Sequence, residues 1–199
     1  MIFDHDHQVG PLLAAALVNA DGEEALEGLL VEHRIRRPAL SSADAHEVSA
    51  WAVRLRQVFE AESPDDRCDS VNALLAEISG ALYLSTHDST PPHLHLAPDT
   101  DGITARVRAV TAGGLAFFIA SAHGRRFGVC ARGRCDRAFV DVSRGGRQRY
   151  CSARCGNTDA VARHRRAHGW TEHADRAPGS SPSAASLGGE VQPPGGRGT

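Results

Sequence analysis

Lysine is absent from this chain of 199 residues, and all of its fixed positive side-chain charge comes from 22 Lys+Arg positions that are every one arginine. The use of arginine in place of lysine therefore says nothing about recognition here; only the placement of the arginines does. Long apolar runs are missing too. No stretch approaches the roughly 18 uninterrupted apolar residues that mark a membrane-spanning helix, so none is expected. The start of the chain, Met1-Ile2-Phe3-Asp4-His5-Asp6-His7, has neither the basic cluster nor the apolar stretch of an export signal, and the expectation is a cytoplasmic protein. Catalytic signatures are lacking as well: no Ser/His/Asp order, phosphate-cradling glycine loop or nucleotide fingerprint stands out, and no enzyme is expected.

Cysteine is scarce but patterned. Of 5 cysteines, four form two close pairs, Cys130-x4-Cys135 and Cys151-x3-Cys155. A tetrahedral zinc ion needs four soft ligands at about 2.3 Å, and two short paired turns deliver them. The alternative is a set of unrelated thiols or two disulfides. Paired spacing without a secretory signal favours metal, so Cys130, Cys135, Cys151 and Cys155 are taken as ligands of one structural Zn2+. Between the pairs, Phe139-Val140-Asp141-Val142, a turn at Ser143-Arg144-Gly145-Gly146 and Arg147-Gln148-Arg149-Tyr150 read as a β-hairpin, with a helix beginning near Ser152. Cys68 reads as a small core or helix-start residue.

Two regions of this sequence resemble known families. Cys151-Ser152-Ala153-Arg154-Cys155-Gly156-Asn157-Thr158, with the upstream C-x4-C and the Phe-Val-Asp strand, resembles the signature of the CGNR zinc-finger proteins. Leu17-Val18-Asn19, Arg106-Val107-Arg108-Ala109-Val110 and Gly114-Leu115-Ala116 resemble the partner domain of that finger, called ABATE and named for stress-induced transcription regulation. The family motif ends in arginine where this chain has Thr158; the metal ligands are untouched, but a phosphate contact made by a motif arginine has no charged counterpart at this position. The resemblance implies a DNA-binding transcription regulator in a stress response.

The charge is divided. Residues 1–122 hold eight arginines against eighteen acids, whereas residues 123–168 hold twelve arginines against three acids. A compact module with that surplus attracts polyanions, nucleic acid first among them, although some arginines are needed against the thiolates and some against the acidic N-terminal part.

Periodicity supplies an α+β organisation. Helices are predicted over Val9–Ala20, Glu23–His33, Ala43–Glu62 with Ser41 or Ser42 as cap, Asp66–Gly80 and Thr104–Ala122, the last carrying Gly113-Gly114 as a place for close packing. Ala81 to Thr86 and His93 to Leu96 read as a β-hairpin. The whole is a mostly helical N-terminal domain with a small hairpin (1–122), a treble-clef-like four-cysteine finger (125–168) and a tail (174–199) whose Gly, Ser, Pro and Ala content predicts disorder. His93 and His95 share a strand face, as His164 and His168 share a helix face, and neither pair is needed for zinc. Arg163, Arg165 and Arg166 on the last helix and Arg144, Arg147 and Arg149 on the turn are the candidate nucleic-acid contacts. Three functions stay open: a DNA-binding regulator whose N-terminal domain senses or homodimerises, a zinc-stabilised protein-interaction module, and a redox-sensitive thiol switch.

Overall fold

The computed structural model describes residues 6–78, 83–85, 93–95, 100–122 and 126–168. The tail over 174–199 lies outside them. Six helices and two hairpins are defined: α1 (Asp6–Val18), α2 (Leu26–Glu32, entered through a short 3₁₀ turn at Glu23–Ala25), α3 (Ser42–Glu60), α4 (Pro64–Leu75), β1 (Tyr83–Ser85), β2 (His93–His95), α5 (Ile103–Ala122), β3 (Phe127–Val129), β4 (Ala138–Val140) and α6 (Ala153–Ala167). The architecture is the mostly helical N-terminal region, hairpin and C-terminal four-cysteine cluster that the sequence predicts.

Local chemistry sets the helix boundaries. Ser41 starts α3 with a capping box, its hydroxyl accepting from the Asp44 N–H while the Asp44 carboxylate accepts from the Ser41 N–H. Ser63 caps α4 with its hydroxyl accepting from the Asp66 N–H, with Pro64 at the first helical position, where its missing N–H costs nothing. That helix ends at Leu75, short of the predicted Gly80. Helix α1 begins earlier than predicted, which places Pro11 inside it rather than in its first turn. The hairpin β1–β2 is antiparallel, pairing Tyr83 with His95 and Ser85 with His93.

The core forms where α1, α3, α4 and α5 meet, around Leu13, Leu17, Trp51, Leu55, Phe59, Leu74, Val107 and Leu115. Helices α1 and α5 meet backbone against backbone at Gly10 and Gly114. A Cβ on Gly114 would sit 2.7 Å from the Cα of Gly10, so two glycines are required for this crossing. Trp51 is buried in the core, and its indole N–H donates to the Thr111 hydroxyl at 2.9 Å, which in turn donates to the Val107 carbonyl at 2.7 Å. Helix α5 is long and apolar enough to cross a membrane by length and composition, yet more than half of it is buried within this fold. Arg106 on α5, 8% exposed, donates to the carbonyls of Asp101, Arg36 and Arg37 and so fixes the loop after α2, where Arg34 and Arg37 adopt positive φ.

The predicted finger hairpin is corrected. Residues 139–142 do not pair with 147–150. Instead β4 pairs with β3 in antiparallel register, Phe127 against Val140 and Val129 against Ala138. The reason is burial: Phe127, Ala138 and Val140 join the helical core, whereas the 147–150 segment is polar and has no apolar face to cover. Phe127 meets the Phe59 ring edge-on at 5.4 Å, with the Arg67 guanidinium 4.8 Å from its centroid. The Asn19 side chain grips the free edge of β4 like another strand, donating to the Ala138 carbonyl at 2.8 Å and accepting from the Ala138 N–H at 2.9 Å. Arg56 adds a second strap, donating to the carbonyls of Asp136 and Val18 at 3.0 Å each.

Candidate metal centre and its basic surface

The β3–β4 hairpin carries the first cysteine pair at its tip. Cys130 directly follows β3, and its N–H donates to the Arg137 carbonyl; the Cys135 N–H donates to the Arg132 carbonyl, both at 2.9 Å, closing a tight turn. The second pair belongs to the start of α6. Ser152 is its N-cap, with extended backbone and a hydroxyl that accepts from the Cys155 N–H at 3.2 Å. Cys151 precedes the cap and Cys155 stands in the first turn, where the positive end of the helix dipole favours a thiolate. An Ala131 N–H to Arg149 carbonyl bond of 2.8 Å holds the two turns together.

All four sulfurs lie within 4.8 Å of one another. Cys135 to Cys151 is 3.8 Å, Cys151 to Cys155 is 3.6 Å and Cys135 to Cys155 is 3.9 Å. Sulfurs at the corners of a tetrahedron with about 2.3 Å bonds to zinc stand about 3.8 Å apart, so the donor set fits the ion in kind and in spacing. The protonation chemistry agrees. The Ser152 hydroxyl first, then the Arg132 guanidinium, which lies 3.6 Å from the sulfur, pull the Cys155 pKa down to about 6. Burial beside the other sulfurs pushes Cys151 up to about 12. Without metal the cluster holds protons that zinc displaces. With four sulfurs bound, no position is left for an activated water, and such a site is structural. Cys68 is exposed on α4 and takes no part.

The chain from 141 to 150 is shaped by one carboxylate. Asp141 is 1% exposed and accepts from the Ser143 hydroxyl, the Ser143 N–H at 2.9 Å and the Gln148 N–H at 2.8 Å. Burial alone would raise its pKa, but these hydrogen bonds and the Arg126 charge outweigh burial and hold it below the ordinary carboxylate value. Arg126 also donates to the Ser143 carbonyl at 2.8 Å and lies against Gly146, whose φ of 57° suits glycine. Tyr150 then fastens the helix: its hydroxyl donates to Asp159 at 2.8 Å, and its ring lies over Gly156, where a Cβ would come within 3.2 Å. Among the described elements α6 packs on no other helix or strand, and its one buried residue is the ligand Cys155. Metal, cap and Tyr150 are what hold it in place.

The arginines fall into groups. Arg144, Arg147 and Arg149 are exposed on the loop, and Arg163, Arg165 and Arg166 are exposed on the last turns of α6. Arg163 is tied to Asp159 at 2.9 Å in an i,i+4 pair. Arg134, Arg137 and Arg154, absent from the sequence-based set, are exposed as well. Among the described residues, Arg134, Arg137, Arg144, Arg147, Arg149 and Arg154 form no side-chain ion pair or hydrogen bond. The described ion pairs of the acidic region are internal to it, as in Arg108–Glu47 and Arg54–Glu77. His164 and His168 stack with ring centroids 4.1 Å apart, without a third metal-ligating neighbour among the described residues. Sequence reasoning did not find the roles of Arg132, Asn19 or Arg56, since each depends on a contact far away in the chain.

A hairpin-tip pair and a helix-start pair of cysteines, converging on one tetrahedral site, define a structural zinc finger. Residues 126–168 match the family model of the CGNR zinc finger, so this part of the chain is a CGNR finger with a four-cysteine metal site. No curated protein matches the chain.

Proposed function

We propose that the protein is a zinc-dependent DNA-binding transcription regulator, with the finger as its DNA-contacting part. The observation that carries this reading is the set of six exposed arginines, at 134, 137, 144, 147, 149 and 154, without acidic partners among the described residues although an acidic region adjoins them. Partnered arginines would belong to the fold; unpartnered ones clustered around a rigid metal site are suited to phosphates. The helical region is the regulatory half on this reading, as its resemblance to the ABATE domain and to stress-response regulation implies, and homodimerisation through it belongs to the same proposal. No catalytic step is assigned, and the site of action is the cytoplasm.

The test is binding of the zinc-loaded chain to mixed-sequence duplex DNA across a salt series. Affinity falls with salt at about 0.9 log units per log unit for each phosphate neutralised. Replacing Arg144, Arg147 and Arg149 together by Ala flattens the slope by about 2–3 while zinc content stays the same. Absence of binding at low salt would transfer the basic surface to an acidic protein partner.

A further inference from the structure

We propose that the outward face of α6 reads base edges in the major groove of duplex DNA, with Asn157 and Val161 setting sequence preference; this rests on the DNA-binding reading above and gives it a mode. On the helical period, Cys155, Asp159 and Ala162 turn toward the finger, and Arg154, Asn157, Val161, His164 and His168 run along the opposite side. All five are exposed. Val161, 50% exposed, is the apolar member of an otherwise polar stripe and has no part in the core. Thr158 is set apart from them, its hydroxyl donating to the Arg154 carbonyl at 2.8 Å.

Shape and chemistry select the partner. A helix of 15 residues that packs on no other element is free to enter a groove. It is about 22 Å long and about 10–12 Å across with side chains. The B-form major groove, about 12 Å wide, admits such a helix. The major groove of A-form RNA is too deep and narrow for side chains to read. Single strands are bound by stacking bases on exposed aromatic rings. Among the described finger residues no Phe, Tyr or Trp offers such a platform: Phe127 is buried, Phe139 is half-buried, and Tyr150 lies against Gly156 with its hydroxyl on Asp159. In the major groove a carboxamide such as that of Asn157 pairs with both adenine N6 and N7, and an apolar side chain such as Val161 meets the thymine methyl. Arg154 at the start of the stripe and the loop arginines then contact phosphates, which fixes orientation without reading sequence.

The experiment selects preferred duplexes from a random pool with the zinc-loaded full chain, then compares wild type, Asn157→Ala and Val161→Ala on a selected and a scrambled duplex. Both changes are at exposed positions, and zinc content verifies the finger in each variant. The selected sites contain an A·T step, and Asn157→Ala weakens the selected duplex about tenfold while the scrambled duplex changes less than about twofold. Exchanging thymine for uracil, which removes the methyl, weakens wild type about threefold and leaves Val161→Ala unaffected. Equal binding of selected and scrambled duplexes, or undiminished preference in both variants, would overturn the groove-reading face while leaving salt-dependent DNA binding intact. Tighter binding to an RNA duplex or to single strands would also overturn it. Loss of all duplex binding in the salt series would remove the DNA reading itself, a separate result.

Discussion

Helices α5 and α6, of 20 and 15 residues, are held in different ways. Helix α5 runs through the core, with Val107, Ala112, Leu115 and Phe118 buried against α1, α3 and α4. Helix α6 buries one residue, and that residue is a metal ligand. Area removed from water holds the first. A metal bond, an N-cap and one tyrosine hold the second. The hairpin β3–β4 stands between them, its feet in the apolar core and its tip in the metal site. The boundary between the two modes of stabilisation therefore lies inside the finger, near Asp141, rather than between finger and helices. A metal clamp stabilises an element without covering it, which is what the proposed DNA-binding role of α6 requires.

The largest effect that separates the two modes is at a ligand. Cys155→Ser removes one of four sulfurs from a type of site whose apparent binding free energy is about 10–16 kcal/mol in isolated fingers, and zinc affinity falls by several orders of magnitude. Far-UV circular dichroism then loses the contribution of α6 and keeps that of the helical core. Loss of the whole spectrum would place the core under metal control and erase the contrast.

A smaller effect, on the apolar side, comes from the helix crossing. Gly114→Ala puts a Cβ against the Gly10 backbone, which has no flexible end to move aside. Thermal unfolding shifts by about 1–3 kcal/mol toward instability, with zinc stoichiometry unchanged.

Asn19→Ala acts on the join. It leaves the Ala138 N–H and carbonyl without their amide partner and costs about 1–2 kcal/mol, read by denaturant unfolding. Because the hairpin belongs to both regions, zinc retention against a chelator weakens in the same variant. A stability change with no change in zinc retention would show that the join carries nothing to the metal site.

The smallest effect is in pH. Asp141 has its carboxyl lowered on folding, so its stabilising contribution is complete above the ordinary carboxylate value and is lost as pH falls through the lowered one. Asp141→Asn removes that part of the acid dependence, measured by unfolding at a series of acidic pH values.

What was legible in the sequence divides along the same line. The ligands Cys130, Cys135, Cys151 and Cys155 were readable because metal geometry imposes local spacing. Helix α3 was readable because Ser41 and its apolar face, Val48 to Phe59, are both local signals. The pairing of β4 was not. Phe127-Gly128-Val129 is too short and too centred on glycine to announce a strand, and its apolar residues acquire meaning only against Phe59 and Phe118. Asn19 looked like the end of a helix, and its bond to Ala138 spans 119 residues of sequence. The i,i+4 pair of Arg163 with Asp159 is a local signal that the sequence does carry, and an exposed pair of this kind is weak.

The central claim is that α6 depends on zinc while the feet of the hairpin depend on the core. Amide hydrogen exchange, resolved by residue with and without a zinc chelator, tests it most directly. The account predicts that on metal removal the amides of residues 155–167 lose protection to near the unfolded level, while those of Phe127, Val140 and the α3 and α5 core keep theirs. Protection of α6 that survives without metal, or collapse of β3–β4 together with it, would contradict the account.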